Sequence, residues 1–224
     1  MASNYSPKII TDGLVLSLDA ADKTSYPGSG TTWSDLSGNG NDATLVNGPT
    51  YNSSPGYIDL DGTNDYISLS TSVSITSFSV EFWVQFQDFT DGYLWVLDNL
   101  NNPELRIAVI SNTPNILVYD DGAYAMNTTT ATTLLSDTWY QLVLTITNND
   151  FRFYINDSLD VSDTSGTYNG GGVGEHTLGT YNRPGAGYGG YRNSKYAIFR
   201  YYNRVLTASE VSQNFNAHRH RFGV

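Results

Sequence analysis

The chain has 224 residues, of which 39% are hydrophobic, 13% aromatic and only 15% charged, and it contains no cysteine. That length supports one core of ordinary size as a single domain, and the missing thiols exclude disulfide scaffolds, thiol catalysis, zinc ribbons and iron–sulfur clusters. Eleven basic against 22 acidic residues give a net charge of −11, which argues against a nucleic-acid or anionic-membrane partner. The longest apolar run, Tyr93 to Leu97, is far shorter than the roughly 20 residues that cross a bilayer, and Met1 to Pro7 lacks the pattern of a signal peptide, so the chain reads as soluble.

Alternation of apolar and polar residues dominates the chain. Leu14, Leu16 and Leu18 predict a first strand. Two loops then concentrate oxygen atoms, Asp35-Leu36-Ser37-Gly38-Asn39-Gly40-Asn41-Asp42 and Asp59-Leu60-Asp61-Gly62-Thr63-Asn64-Asp65. Their carboxylates, amide oxygens and tight glycine turns suit calcium, which takes six to eight oxygens. The competing reading is ordinary turns, in which Asn and Asp bond their own backbone. From Phe78 to Phe86 the split is clean: Phe78, Val80, Phe82, Val84 and Phe86 form a core row, while Ser79, Glu81, Trp83 and Gln85 are expected on a half-wet face. Tyr140, Leu142, Leu144 and Ile146 predict another strand, joined through an Asn148-Asn149-Asp150 hairpin turn to a strand with Phe151, Phe153 and Ile155. Turn signals recur at Asp61-Gly62, Asp91-Gly92, Asn101-Asn102-Pro103, Asp121-Gly122 and Asn156-Asp157. Short strands at this spacing, rich in Val, Ile, Thr and Tyr, predict an all-β, two-sheet antiparallel sandwich or jelly roll.

One helix is specified near the end. Thr207 and Glu210 form a capping box, Leu206 and Val211 a hydrophobic staple, and Phe215 extends the apolar face. The expected helix is short, lies on the sandwich surface and ends near Ala217. Residues 1–12 read as an N-terminal arm, 13–217 as the domain and 218–224 as a basic tail. Seven basic residues and one acid lie from position 183 onward, giving that segment +6 and the rest −17. Either this cationic segment lies against its own acidic body, or Arg219 and Arg221, with His218 and His220, dock onto an acidic partner. His218 and His220 could also share one face of an extended segment as metal ligands, against the plainer reading of a solvated tail.

Catalytic patterns are sparse. No phosphate-binding glycine motif or nucleophile elbow is present. Glycosidases need two carboxylates across the scissile bond, and none of the four glutamates has an acidic neighbour two or four residues on. Glu81 is followed on its face by Trp83 and Gln85. The chain is therefore expected not to be an enzyme. For glycan binding the candidates are Trp83 and the Gly-rich run Tyr181 to Tyr191, where Tyr181, Tyr188 and Tyr191 could stack on sugar rings or on a protein partner. The competing reading folds these tyrosines back on the sandwich.

Taken together, Gly13-Leu14-Val15-Leu16, Trp33 leading into the Asp35 to Asn41 loop, Leu60 to Ile67, the Phe78–Phe86 strand, Trp139-Tyr140 with its hairpin, and Tyr202-Asn203-Arg204-Val205-Leu206-Thr207 resemble the laminin-G-like, concanavalin-A-like jelly-roll family over roughly residues 12–217. The resemblance implies two packed antiparallel sheets, one of them concave. It also implies a structural calcium at Asp35 and Asn39, with Asp19 nearby. Where the family's penultimate strand carries an acid after its glycine, this chain has Lys195-Tyr196-Ala197-Ile198. The lone domain with its basic ending resembles virion proteins of tailed phages. This implies a bacteriophage capsid-decoration, fibre or tail-associated component at the particle surface, with major capsid or other virion proteins as partners and host glycans as a second contact. A homo-oligomer is left open. The alternatives are a free carbohydrate-binding module or lectin and, behind it, a glycoside hydrolase.

Overall fold

The computed structural model describes residues 7–70, 77–97, 105–110, 113–120, 123–147, 149–164, 176–183 and 187–224, with backbone alone for 110, 113–120, 123–129 and 183. Strands in chain order are β1 (Leu14–Asp19), β2 (Thr32–Trp33), β3 (Ala43–Val46), β4 (Thr50–Asn52), β5 (Tyr57–Asp61), β6 (Tyr66–Leu69), β7 (Phe78–Phe86), β8 (Gly92–Leu97) and β9 (Leu105–Ile110). They continue with β10 (Thr113–Asp120), β11 (Ala123–Thr129), β12 (Trp139–Ile146), β13 (Phe151–Ile155), β14 (Ser158–Asp163), β15 (His176–Leu178), β16 (Tyr181–Arg183), β17 (Gly187–Gly189) and β18 (Asn193–Tyr202). One helix, α1 (Ala208–Phe222), follows.

Two antiparallel sheets stack face to face, as expected from the sequence. The first runs β14-β13-β12-β7-β18-β5-β4, with β5 pairing the first half of β18, Asn193 to Tyr196, and β1 the second half, Ile198 to Tyr202. The β18 ladder with β7 carries a register shift between Tyr196 and Ile198. The second sheet runs β11-β10-β9-β8-β15-β6-β3-β2. Between them lies the core, where the predicted row Phe78, Val80, Phe82, Val84 and Phe86 meets Trp95, Leu97, Ile107, Ile67 and Leu178. The hairpin from β12 to β13 pairs Ile146 with Phe151, and Asn156 and Asp157 turn β13 into β14 with φ of 47° and 65°. Of the predicted turns, Asn101-Asn102-Pro103, Asp121-Gly122 and Asn148 lie outside the described residues.

The helix begins as predicted. Thr207 accepts from Glu210 N and the Glu210 side chain accepts from Thr207 N, closing the capping box. Leu206 and Val211 join one buried cluster. Its end differs: α1 continues five residues past Ala217 and stops at Gly223, whose φ of 73° makes the left-handed cap while its N–H bonds Arg219 O. Residues 218–222 are therefore the last turns of a helix, not a tail. Phe222 lies seven positions after Phe215 on the same apolar face, and Arg219, His220 and Arg221 sit where the helix dipole favours positive charge.

This helix covers much of the outer face of the first sheet, so of the row expected to be half-wet only Gln85 stays half-buried. Ser79, Glu81 and Trp83 are all fully buried. The arm also docks: Ile10 N donates to Asn214 Oδ1 at 2.8 Å, and Lys8 O accepts from Gln213.

Candidate functional site

Beyond the C-terminal end of α1 the same outer face stays open and polar. Strand period two puts Tyr57, Asp59 and Asp61 outward on β5 while Ile58 and Leu60 enter the core. Cross-strand register then lines up Thr50, Asp59, Lys195 and Gln85 in one row. Asp61 pairs with Asn193 in the next row, beside Gln87, whose N–H bonds Asn193 O. Thr50, Asp59, Asp61, Asp65, Gln87 and Asn193 line a cleft of about 260 Å³. All three carboxylates come from the β5–β6 hairpin, whereas the amides Gln87 and Asn193 come from the end of β7 and the start of β18 beside it.

Hydrogen bonds hold this lining. Gln87 Nε2 donates to Asp59 Oδ1 at 2.8 Å and to Asn193 Oδ1 at 2.7 Å. Asn193 Nδ2 donates to Asp88 Oδ2 at 2.8 Å. Asp88 in turn holds the fully buried Arg192 at 3.1 Å. Lys195 Nζ donates to Gln85 Oε1 at 2.8 Å and lies 5.5 Å from the centre of the Tyr57 ring. Burial raises the Asp59 carboxyl above its usual range, against the pull of Lys195 and Gln87. Burial, with the charges of Asp61 and Asp59, raises Asp65 too. Asp61 is held low, chiefly by the N–H of Thr63. The lining carboxylates, amides and hydroxyl supply acceptors and donors that suit hydrogen bonding to hydroxyls.

A second cluster lies on the second sheet. The Arg106 guanidinium sits 5.5 Å from the Tyr93 ring centre and 5.8 Å from that of Tyr181, and the two rings are 5.3 Å apart. Tyr188 stacks on Tyr66 at 4.6 Å. Of the predicted sugar-stacking residues, Tyr181 is buried in this cluster, Tyr188 is half-buried against Tyr66, and Tyr191 is half-buried. The loop residues 184–186 lie outside the described ones.

Trp83 is corrected outright. It is fully buried under α1, stacked on Phe222 at 4.3 Å and Phe215 at 5.7 Å. Glu81 beside it is equally inaccessible: Oε1 accepts from Gln141 Nε2 at 3.0 Å and Arg200 Nη1 at 3.1 Å, and Oε2 accepts from Asn214 Nδ2 at 2.8 Å. Arg200 also contacts His218 Nε2 at 2.7 Å. Burial, with the charges of Arg200 and Arg221, pushes His218 down to about 2, so its neutral ring accepts that bond. In a helix His218 and His220 point to different sides, which removes the shared metal face.

The docking pair also separates. Arg221 binds Asp19 at 2.7 Å and donates to Pro55 O and Gly56 O, whereas Arg219 is exposed. Arg192, Arg200 and Arg204 pair internally as well, with Asp88, Glu81, and Asp12 and Glu210. The cationic segment thus lies against its own acidic body.

The calcium set does not fit its expected ion. Asp19 is engaged by Arg221 and by Ala21 N. Asp35 accepts from Ser17 N, Ser37 N, Ser37 Oγ and Asn41 N. Burial alone would raise its carboxyl, but these bonds hold it low. Asn39 directs its amide hydrogens to Val15 O and Ser37 Oγ. The loop closes on itself as a network of turns.

What the sequence reading missed is the amide pair beside the carboxylates. Gln87 and Asn193 are about a hundred residues apart, and only the β7–β18 pairing joins them. The available signal was the outward row Tyr57, Asp59 and Asp61.

Two packed antiparallel sheets in this strand order define a jelly-roll sandwich. The chain belongs to the Concanavalin A-like lectin/glucanases superfamily, whose family model matches residues 61–212. It is similar to domain 4 of AbnA, a GH43 extracellular arabinanase from Geobacillus stearothermophilus, solved in complex with arabinotriose: 18% identity, TM-score 0.72, covering 90% of this chain and 97% of that one. It is similar to the binding domain of Paraclostridial Mosquitocidal Protein 1 at 20% identity and TM-score 0.71, covering 93% and 53%. A third likeness is to the Trypanosoma rangeli sialidase in complex with sialic acid, at 15% identity and TM-score 0.68, covering 93% and 33%. The chain spans about half the length of the binding-domain structures it matches, that of the mosquitocidal protein and those of botulinum neurotoxin serotypes D and D/C. At these identities the likeness is one of fold. A search of the curated proteins found no match. Among the described residues no helix is long and apolar enough to cross a membrane.

Proposed function

We propose that this chain is a non-enzymatic carbohydrate-binding module that holds its sugar in the cleft at the open end of the first sheet. The observation that carries this reading is the lining: three carboxylates, two amides and a hydroxyl converge on about 260 Å³ with Tyr57 and Lys195 at the margin. Fixed polar groups beside an aromatic edge are what orient a polyol in a site. The similar arabinanase domain, solved with arabinotriose, supports a sugar as the class of ligand.

A glycan array followed by calorimetric titration tests it. Gln87→Leu, which breaks the bridge between Asp59 and Asn193, is expected to weaken binding at least tenfold, while Tyr188→Ala leaves it within twofold. The opposite ranking would move the site to the tyrosine cluster, and release of reducing sugar from a bound polysaccharide would overturn the non-enzymatic reading.

A second reading places the same module on a tailed-phage particle as a decoration or fibre-associated component anchored to capsid or other virion proteins. The exposed end of α1 favours it: Arg219 and His220 face solvent while Arg221 is tied to Asp19. Loss of particle occupancy in R219A/H220A supports this reading, and full occupancy refutes it.

A further inference from the structure

The orientation of the amides, granted that the cleft binds a glycan as read above, fixes which glycans it takes. The Asp59 carboxylate only accepts, so Gln87 must turn Nε2 toward it; its second amide hydrogen goes to Asn193 Oδ1. Asn193 is oriented independently, because Nδ2 donates to the Asp88 carboxylate. Flipping either amide would set acceptor against acceptor. Both Gln87 hydrogens are therefore consumed inside the lining, and the atom it can offer a ligand is Oε1, an acceptor. Asp59, Asp61 and Asp65 add acceptors only. The remaining donors at the lining are the Thr50 hydroxyl and one Asn193 amide hydrogen.

Asp65 points to a ligand on its own account. It is 5% exposed yet lines the cleft, and it receives one N–H, from Asp61, at 3.4 Å. That bond is long and occupies Oδ2, so the carboxylate keeps further acceptor positions toward the cleft that it lines. A bare metal ion does not answer this need. Among the described residues no three His, Cys, Asp or Glu side chains gather as ligands for one ion, and the carboxylates are strung along the hairpin. An extended ligand that donates fits better. The protein's own ammonium shows the mode of contact: Lys195 lies over the Tyr57 ring in the row of Asp59, as a cation–π contact prefers.

We propose that the cleft selects glycans carrying free amino groups, protonated hexosamine units, over their neutral acetylated counterparts and against uronic or sialic acids. An ammonium makes charge-assisted bonds to Asp61 and Asp65 that a hydroxyl cannot match. A ligand carboxylate would instead meet three carboxylates and one lysine.

The test is calorimetric titration of the whole chain at pH 6 with a fully deacetylated glucosamine tetramer, its N-acetylated form and a galacturonate tetramer. The amine form is expected to bind at least tenfold tighter than the acetylated one, and the uronate not measurably. Asp61→Asn retains the side-chain oxygen that caps Thr63 N, so it should fold; it is expected to weaken the amine about tenfold and the acetylated tetramer less than twofold. Asp150→Asn, an equal charge change outside the cleft, should leave both unchanged. Equal affinity for amine and acetylated forms, preference for the uronate, or the same loss in D150N as in D61N overturns this inference while leaving the glycan-binding reading intact. Failure of every glycan on an array to bind overturns both.

Discussion

Replacing Phe222 by alanine removes a ring that is 8% exposed, stacked on Trp83 at 4.3 Å with planes 17° apart and set against Trp139 at 4.8 Å. An aromatic ring burying about 150 Å² is worth ~4 kcal/mol at ~25 cal/mol per Å². The final helical turn can relax toward the sheet, and the β-carbon remains, so the expected loss is about 3 kcal/mol. For a chain of this length that lowers Tm by roughly 6–12 °C. Urea unfolding followed by tryptophan fluorescence measures it, and the native emission should shift to the red as Trp83 gains water. Arg219→Ala, on the same turn but exposed, is the control, with an expected change inside about 0.5 kcal/mol. A loss below 1 kcal/mol for F222A, or equal losses for the two variants, would refute the seating of the helix end on the sheet.

Two further outcomes follow from buried polar groups. His176 is fully buried between Trp95 and Tyr201, and desolvation pushes its pKa from 6.5 to about 3. The unfolded chain therefore takes up the proton first, so this contribution is complete above pH 6.5 and falls as pH drops; at pH 5 the loss is ~2 kcal/mol. His176→Phe should flatten the fall in urea midpoint between pH 7 and 5 relative to the parent, and an unchanged slope refutes the assignment. Glu81→Leu should cost about 3–5 kcal/mol by leaving Arg200 buried without its partner, and E81L/R200M should recover most of it. A double variant as unstable as the single one would show that the pair is not the source of the loss.

Much of the fold was legible along the chain because strands announce themselves locally. Alternation in Phe78–Phe86 and Tyr140–Ile146 gave the core row, and the Thr207–Glu210 box gave the helix start. These signals depend on neighbours within a few residues. The oxygen-rich Asp59–Asp65 loop was also visible, although its partners were not. Trp83 shows the limit of such reading. Strand period told which face it occupies, but whether that face meets water depends on a helix whose covering rings lie more than 130 positions later.

The sequence by itself therefore determined the two-layer β class, the strand faces and the helix cap, since each follows from side-chain period and short-range hydrogen bonding. Tertiary structure alone decided the rest. Pairing β18 between β7 and β5 joined Gln87 and Asn193 to Asp59 and opened the cleft, while the seating of α1 closed the face over Trp83 and Glu81. Burial and cross-strand proximity are properties of the packed sheets, and no local pattern encodes which distant residues will stand beside the carboxylates.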